Sequence, residues 1–302
     1  MRYVAVLGLI AVVVLFLAHR LVASRPIDAR ISLGARVPSL GDVPLTPSPQ
    51  TKLHVGIAHI TSAVSGFQKH QALVGRLGAA VNMEAEMFTP DSYKASNALL
   101  RQGKLDLAFG CSGGYAAEPD AMDVLAAPLI NGKMEYYALI IVPRDSPCKT
   151  FADLRGKSFL FVEEQSNTGQ WYPCRLARQL AGKGGAFFGS TKFTGAHDIS
   201  ILAIAGGLAD GAAVSSNIYD RMIAGEPALK DHVRILESSP PFPSPPVVVR
   251  KGLPPEERRR LLQALLALPE SAEGREILRG LGFDGFVPAR NEDYAGIEPC
   301  TL

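Results

Sequence analysis

The chain has 302 residues, 47% of them hydrophobic and 20% charged, with a formal net charge of +2. That is ordinary globular composition, long enough for one large or two mid-sized lobes. No block of five like charges occurs, and the densest basic cluster, Arg258–Arg260, follows Glu256 and Glu257, so nothing calls for nucleic acid as a partner.

Met1-Arg2 precedes an uncharged apolar run, Tyr3 to Ala18, followed by His19, Arg20 and Arg25. A positive start before an apolar run is the pattern of an export signal or a membrane anchor, here residues 1–24. Residues 3–18 are expected to tether the protein to the inner membrane if uncleaved, and the body is expected to be periplasmic or otherwise extracytoplasmic. Residues 25–51 carry Pro26, Pro38, Pro44, Pro47 and Pro49 and read as a linker. Cys111, Cys148, Cys174 and Cys300 show neither CxxC pairing nor metal spacing with His. One or two disulfides, with the pairing unassigned, or free buried thiols are both compatible with that pattern.

From Lys52 the chain alternates strand and helix. Lys52–Ala58, Val81–Phe88 and Leu105–Gly110 read as strands, and Phe67–Leu77 and Ser92–Gln102 as helices. This is the order of an α/β sheet with parallel strands, in which ligands gather at the carboxyl ends of strands. Three loops qualify: Ala58–Ser65, Phe88–Tyr93 and Gly110–Tyr115. The last reads GCSGGY, with glycines that allow close backbone approach and Tyr115 offering a hydroxyl. Tyr136–Val142 (YYALIIV) is a strong strand signal and is expected to close the first lobe before Pro143–Pro147.

Phe159–Pro173 (FLFVEEQSNTGQWYP) reads as a buried strand, a polar loop and a helix start. Its Ser, Asn, Thr and Gly sit where a helix dipole favours an oxyanion. Plain capping by Ser166 or Thr168 is the simpler use of the same residues. Gly182–Gly185 reads as a turn, Phe187–Phe193 as holding a strand, and His197-Asp198 as opening a helix through Leu208. Asp210–Val214 is a strand ending in Ser215, Ser216 and Asn217, and Val233–Glu237 is another. Crossings near Val142–Pro147 and Leu236–Pro240 imply a hinged clamshell: lobe 1 from 52–142 plus 241–302, and lobe 2 inserted as 148–236. The helix Pro255–Leu268 is expected to pack on lobe 1.

Six segments, in this order, carry a resemblance: LHVGI, PDSYKASNALLRQGKLDLAFG, FADLRGKSF, EQSNTGQWYP, TGAHDISILAIAGGLADGAAV and ILESSPPFPSPPVVVRKGLPPE. Together they resemble the phosphate/phosphite/phosphonate (PhnD-like) solute-binding proteins of ABC importers, a two-lobe type II periplasmic-binding fold. The resemblance spans most of residues 52–268. It implies an oxyanion held by Ser166, Asn167, Thr168 and Gly169, with Tyr93, Tyr115 and His197 as further contacts and an ABC permease as partner; Cys111, Ser112 and Ser215, at carboxyl ends of strands, complete the candidate ligand set, and no cofactor is expected. The sequence departs from the family pattern in three places. Asn167 replaces a hydroxyl of the usual Ser-Thr-Ser-Gly. Gly110-Cys111-Ser112 stands where Gly-Pro is usual. Ser215-Ser216-Asn217 lacks the acid that aminophosphonate binders use for an ammonium. Cys111 at the cleft also resembles relatives that sense arsenic oxyanions, which implies a tethered sensor signalling to a histidine kinase as the alternative. Catalysis is not expected: no GxSxG, Walker or HExxH motif occurs, and adjacent Glu163 and Glu164 would point to opposite faces of a strand.

Overall fold

The computed structural model describes residues 52–57, 63–181 and 186–302, with side chains omitted for 63–69. The expected N-terminal signal or anchor, the proline-rich linker, the Gly182–Gly185 turn and residues 58–62 of the first loop lie outside the described residues.

Two sheets carry the fold. In the first, β1 (Lys52–Ile57) pairs in parallel with β2 (Glu84–Phe88) and β3 (Leu107–Phe109). Beyond β3 lie β12 (Val247–Arg250), β4 (Met122–Leu129) and β13 (Gly285–Pro288), in the order β13-β4-β12-β3-β1-β2. In the second, β7 (Ser158–Phe161) pairs in parallel with β8 (Ser190–Phe193) and β9 (Gly211–Ser215). Antiparallel β6 (Ala138–Pro143) and β10 (Val233–Ser238) complete the order β10-β6-β9-β7-β8. The central strands β3, β12, β7 and β9 are mostly apolar and buried because helices cover both faces.

On lobe 1, α1 (Ala63–Val81), α7 (Pro255–Leu266) and α8 (Ala272–Leu281) enclose one core with Leu53, Val55, Leu73, Leu107, Leu261 and Leu265. The opposite face holds α2 (Tyr93–Arg101) and the short α3 (Ser112–Ala117). On lobe 2, Phe151, Phe159, Phe161, Phe187 and Phe188 stack on the side of α4 (Tyr172–Ala181). Ile141, Ile201, Ile204 and Val214 fill the side of α5 (His197–Ala205) and α6 (Ser216–Gly225).

The first crossing lies earlier than the sequence reading placed it. YYALIIV does not close lobe 1, because β6 is the second strand of the lobe-2 sheet. The crossings are therefore residues 130–137 outward and 239–246 on return. They pair with each other through β5 (Glu135–Tyr136) and β11 (Phe242–Pro243). Ser239 Oγ accepts from the Ala138 N–H at 2.9 Å, and the Tyr294 hydroxyl donates to the Ser244 carbonyl at 2.6 Å.

A third connection joins the lobes. After β13 the chain turns through residues 291–294, where Asn291 Oδ1 accepts from the Val124 N–H of lobe 1. It then reaches Cys300, which forms a disulfide with Cys174 in the first turn of α4. Arg175 donates to the Glu298 carbonyl at 2.6 Å, and Arg178 to that of Thr301. Cys111 and Cys148 are free and buried.

Candidate functional site

Two chain turns face each other between the lobes. On lobe 2, β7 delivers the chain to Ser166. The Ser166 carbonyl accepts from both the Gln170 N–H (3.0 Å) and the Trp171 N–H (2.9 Å), so Asn167–Trp171 forms a widened π-type turn that runs straight into α4. Such widened turns recur at functional sites, because the extra residue re-aims its neighbours. Ser166 caps this turn, its Oγ accepting from the Gly169 N–H at 3.0 Å. Gly169 has no alternative: a Cβ there would lie 2.5 Å from the Val162 Cβ.

On lobe 1, Cys111 precedes α3 with extended backbone. A Cβ on Gly113 would lie 2.2 Å from the Gln165 carbonyl oxygen and 2.5 Å from the Asn167 nitrogen. Glycine alone lets the two turns come this close. Asn97 of α2 fixes the α3 turn from behind, donating to the Gly114 carbonyl at 2.7 Å.

Between the turns sits a buried polar cluster. Ser112 Oγ and the Tyr136 hydroxyl share a 2.5 Å hydrogen bond. Tyr93 is 2% exposed, yet among the described residues neither its hydroxyl, which adjoins the Cys111 thiol, nor either end of the Asn167 amide, which adjoins the Tyr136 hydroxyl, has a partner at full hydrogen-bond geometry. Burial pushes the Cys111 thiol up, while the N–H groups of Asn167, Gly114 and Gly113 act on its sulfur in the opposite sense. Burial likewise holds the Tyr93 and Tyr136 phenols well above their usual values, so both remain hydroxyl donors at neutral pH. Among the described residues no lysine or arginine figures among the groups acting on Tyr93, Cys111, Tyr136 or Glu163. The donors are neutral hydroxyls, amides and backbone N–H groups at the positive end of a helix dipole. That chemistry suits a small anion.

His197 opens α5, 2% exposed. Its Nδ1 accepts from the Ser215 N–H at 3.0 Å, which leaves the ring proton on Nε2. Burial lowers its pKa to about 4, so the ring is neutral at pH 7. Ser215, also buried, ends β9 and adjoins the hinge through the pairing of its backbone with Ala138.

Of the residues singled out from sequence, Tyr93, Cys111, Ser112, Asn167 and Thr168 meet in this cluster. Ser166 and Gly169 shape it from behind. Tyr115 differs: Gly110–Tyr115 is not an open loop, since helix α3 begins at Ser112. Tyr115 is thereby turned edge-on to Tyr294 at 5.5 Å, while it still lines a small cavity with Tyr93 and Cys111. Tyr136 brings the second phenol instead. Sequence reasoning counted it as strand, and its position just before β6, where the chain leaves lobe 1, was the signal that could have singled it out. Glu163 was also missed as a site neighbour. Its Oε1 accepts from the Tyr93 N–H of lobe 1 at 2.6 Å.

A family profile described as "ABC transporter, phosphonate, periplasmic substrate-binding protein" matches residues 55–294. The chain is 25% identical over 239 residues to the phosphonates-binding periplasmic protein of Escherichia coli K12, covering 77% of this chain and 69% of that one. It superposes on the binding-protein component of a Pseudomonas aeruginosa ABC phosphonate transporter with TM-score 0.73 and 18% identity, over 81% of this chain and 83% of the other. Against PhnD1 of Prochlorococcus marinus MIT 9301, solved with methylphosphonate, the TM-score is 0.74 at 17% identity, over 82% and 96%. With two hinged α/β lobes and an anion-suited cluster between them, the chain belongs to the periplasmic substrate-binding proteins of phosphonate ABC transporters, with the type II periplasmic-binding fold.

Proposed function

We propose that this protein captures a small tetrahedral oxyanion, a phosphonate, phosphite or phosphate, outside the cytoplasmic membrane and delivers it to an ABC permease. The observation that carries this reading is a pair of buried polar groups, the Tyr93 hydroxyl and the Asn167 amide, that lack a well-formed hydrogen bond among the described residues and lie beside the N–H groups of Gly113, Gly114 and Asn167. Buried polar groups left unpaired are costly and rare, and a binding site is where that cost is recovered. The anion's oxygens accept from these hydroxyls, the amide and the backbone N–H groups, with Ser112, Tyr136, Thr168 and His197 Nε2 as further donors. Neutral donors distributed over two lobes read shape as well as charge, because only a ligand that touches both turns favours closure. Binding is non-catalytic: the cluster holds no activated nucleophile, its thiol being raised rather than lowered.

A thermal-shift series with methylphosphonate, phosphite, phosphate and sulfate tests the reading. A rise in melting temperature with at least one of the phosphorus oxyanions is expected, and no response to any of them overturns it. A second reading, an arsenic oxyanion held through Cys111, rests on the thiol lying among three N–H groups. Unchanged arsenite affinity in Cys111→Ser removes it.

A further inference from the structure

Glu163 follows β7 on lobe 2, and Tyr93 is the first helical residue of α2 on lobe 1. The 2.6 Å bond from the Tyr93 N–H to Glu163 Oε1 therefore spans the cleft. It joins the lobes at the helix that carries one of the unpartnered donors, and Gln165 Oε1, two residues on, lies 3.5 Å from Asn97 Nδ2 of the same helix. Among the described residues, the groups that act on Glu163 are the N–H groups of Tyr93 and Gln165, the side chains of Tyr93 and Cys111, and the carboxylate of Glu164. None of these is a cation. Among the described residues, Glu163 is the carboxylate that acts on both Tyr93 and Cys111.

A carboxylate in that position has two opposed effects. Its oxygen holds the N-terminus of α2, which sets Tyr93 over the cluster. Its negative charge repels an anion drawn to the same donors. A proton resolves the conflict. The neutral carboxyl keeps a carbonyl oxygen for the Tyr93 N–H, removes the like charge and offers an O–H.

Taking the oxyanion reading as given, we propose that Glu163 is a positioning residue that couples anion capture to proton uptake: one proton binds its carboxyl group as the lobes close on the anion. Burial raises the Glu163 pKa to about 7, with Glu164 acting in the same sense and the Tyr93 and Gln165 N–H groups opposing. In an open cleft the carboxyl regains solvent and returns towards the ordinary carboxylate range. Closure then takes up a proton between about pH 4.5 and 7, and capture tightens as pH falls through that window. A carboxylate with only a structural role would hold α2 at every pH.

Trp171, the chain's single tryptophan, lies two residues after Gly169, its indole N–H on the Glu164 carbonyl at 2.8 Å, and reports closure by fluorescence. Methylphosphonate is titrated into wild type and Glu163→Gln, and the protons exchanged are counted by calorimetry in two buffers of different ionisation enthalpy. The ligand's own titration is common to both proteins and cancels in the difference. At pH 6 wild type is expected to take up close to one proton more than Glu163→Gln per anion bound. Relative to that variant, wild-type affinity is expected to fall by up to about tenfold per pH unit between pH 5 and 7. Equal proton counts in two proteins that both bind overturn the proposal, as does an affinity loss in Glu163→Gln that is the same at every pH. If neither protein binds methylphosphonate, phosphite or phosphate, the oxyanion reading fails first and this proposal with it. Should Glu163→Gln not fold, Glu163→Asp keeps the charge but draws it back from the Tyr93 N–H. A smaller proton uptake is then expected, and an undiminished one overturns the proposal.

Discussion

The lobes meet in two places of opposite character. At the cleft the contact is polar and incomplete: the Tyr93 hydroxyl and the Asn167 amide lie buried without a well-formed hydrogen bond among the described residues. Behind it, on the far side of Trp171, the contact is apolar and closed. There Trp171, Cys174, Tyr115, Tyr294, Ile297 and Cys300 share one cluster, the Tyr294 hydroxyl and the Trp171 N–H are both bonded, and a disulfide completes it. Folding alone satisfies the second contact and leaves the first wanting a ligand. The same helix, α4 with its π-type turn, serves both, so the strap and the site are about one helical turn apart. The first contact spends stability to obtain affinity, and the second supplies the rigidity that keeps the unpaired donors aligned.

Breaking the strap should have the largest effect. The Cys174–Cys300 bond closes a loop of 126 residues in sequence separation. Replacing both cysteines by serine is expected to lower unfolding stability by about 2–4 kcal/mol, read from denaturant midpoints. The apolar cluster remains, so the protein should fold and bind. Without the covalent tie, the open form costs less, and anion release measured by Trp171 fluorescence should quicken. An unchanged midpoint would mean the strap adds nothing to the noncovalent contact.

Gly113→Ala tests the cleft contact itself. The added methyl meets backbone, the Gln165 carbonyl at 2.2 Å, which cannot swing aside. Overpacking of this kind costs about 1–3 kcal/mol. Here it falls on the closed form, so anion affinity should drop roughly ten- to a hundredfold. Tyr93→Phe comes next and sharpens the comparison by its sign. Removing a hydrogen bond to an anion costs about 1.5 kcal/mol or more, roughly a tenfold loss of affinity. Removing a hydroxyl that makes no well-formed hydrogen bond among the described residues should leave the melting temperature of the ligand-free protein level or higher. A matching deletion in the strap, Tyr294→Phe, should do the reverse, lowering stability because its hydroxyl is bonded to Ser244.

The same contrast marks what the sequence reveals. The strands, the α2 helix and the glycine-bearing turn at Ser166–Gly169 are local patterns, and apolar patterning with Ser, Thr, Pro and Gly at the element ends exposes them. Three features depend on what the chain meets elsewhere. Tyr115 turns inward because α3 is helical from Ser112, and three small residues followed by a tyrosine look like a loop as readily as a helix. Tyr136 reaches Ser112 only because the first crossing precedes β6, a boundary hidden inside one continuous apolar run. The Cys174–Cys300 pair spans two lobes, and four unpatterned cysteines do not announce it. The polar half of the interface was thus partly visible as motif, and the apolar half was invisible until the chain folded.

The smallest effect expected is a near-cancellation between a buried histidine and a partly buried carboxyl on lobe 2. His197 has its pKa lowered to about 4 from an ordinary 6.5, so the folded chain resists a proton that the unfolded chain accepts. Its contribution rises with pH between about 4 and 6.5. In the closed form Glu163 has its pKa raised to about 7 from an ordinary 4.5, so the closed chain holds a proton that the unfolded chain releases. Its contribution falls with pH between about 4.5 and 7. Each slope approaches about 1.4 kcal/mol per pH unit at most, and over the shared window they oppose each other. Single variants separate them. Relative to wild type, Glu163→Gln should grow more stable as pH rises from about 4.5 to 6.5. His197→Asn, which keeps an acceptor for the Ser215 N–H, should grow less stable over the same range. Denaturant midpoints at half-unit steps of pH, with saturating methylphosphonate to hold the cleft closed, would show the two differences as lines of opposite slope, and a flat line for either variant would mean that its group does not carry the shift ascribed to it.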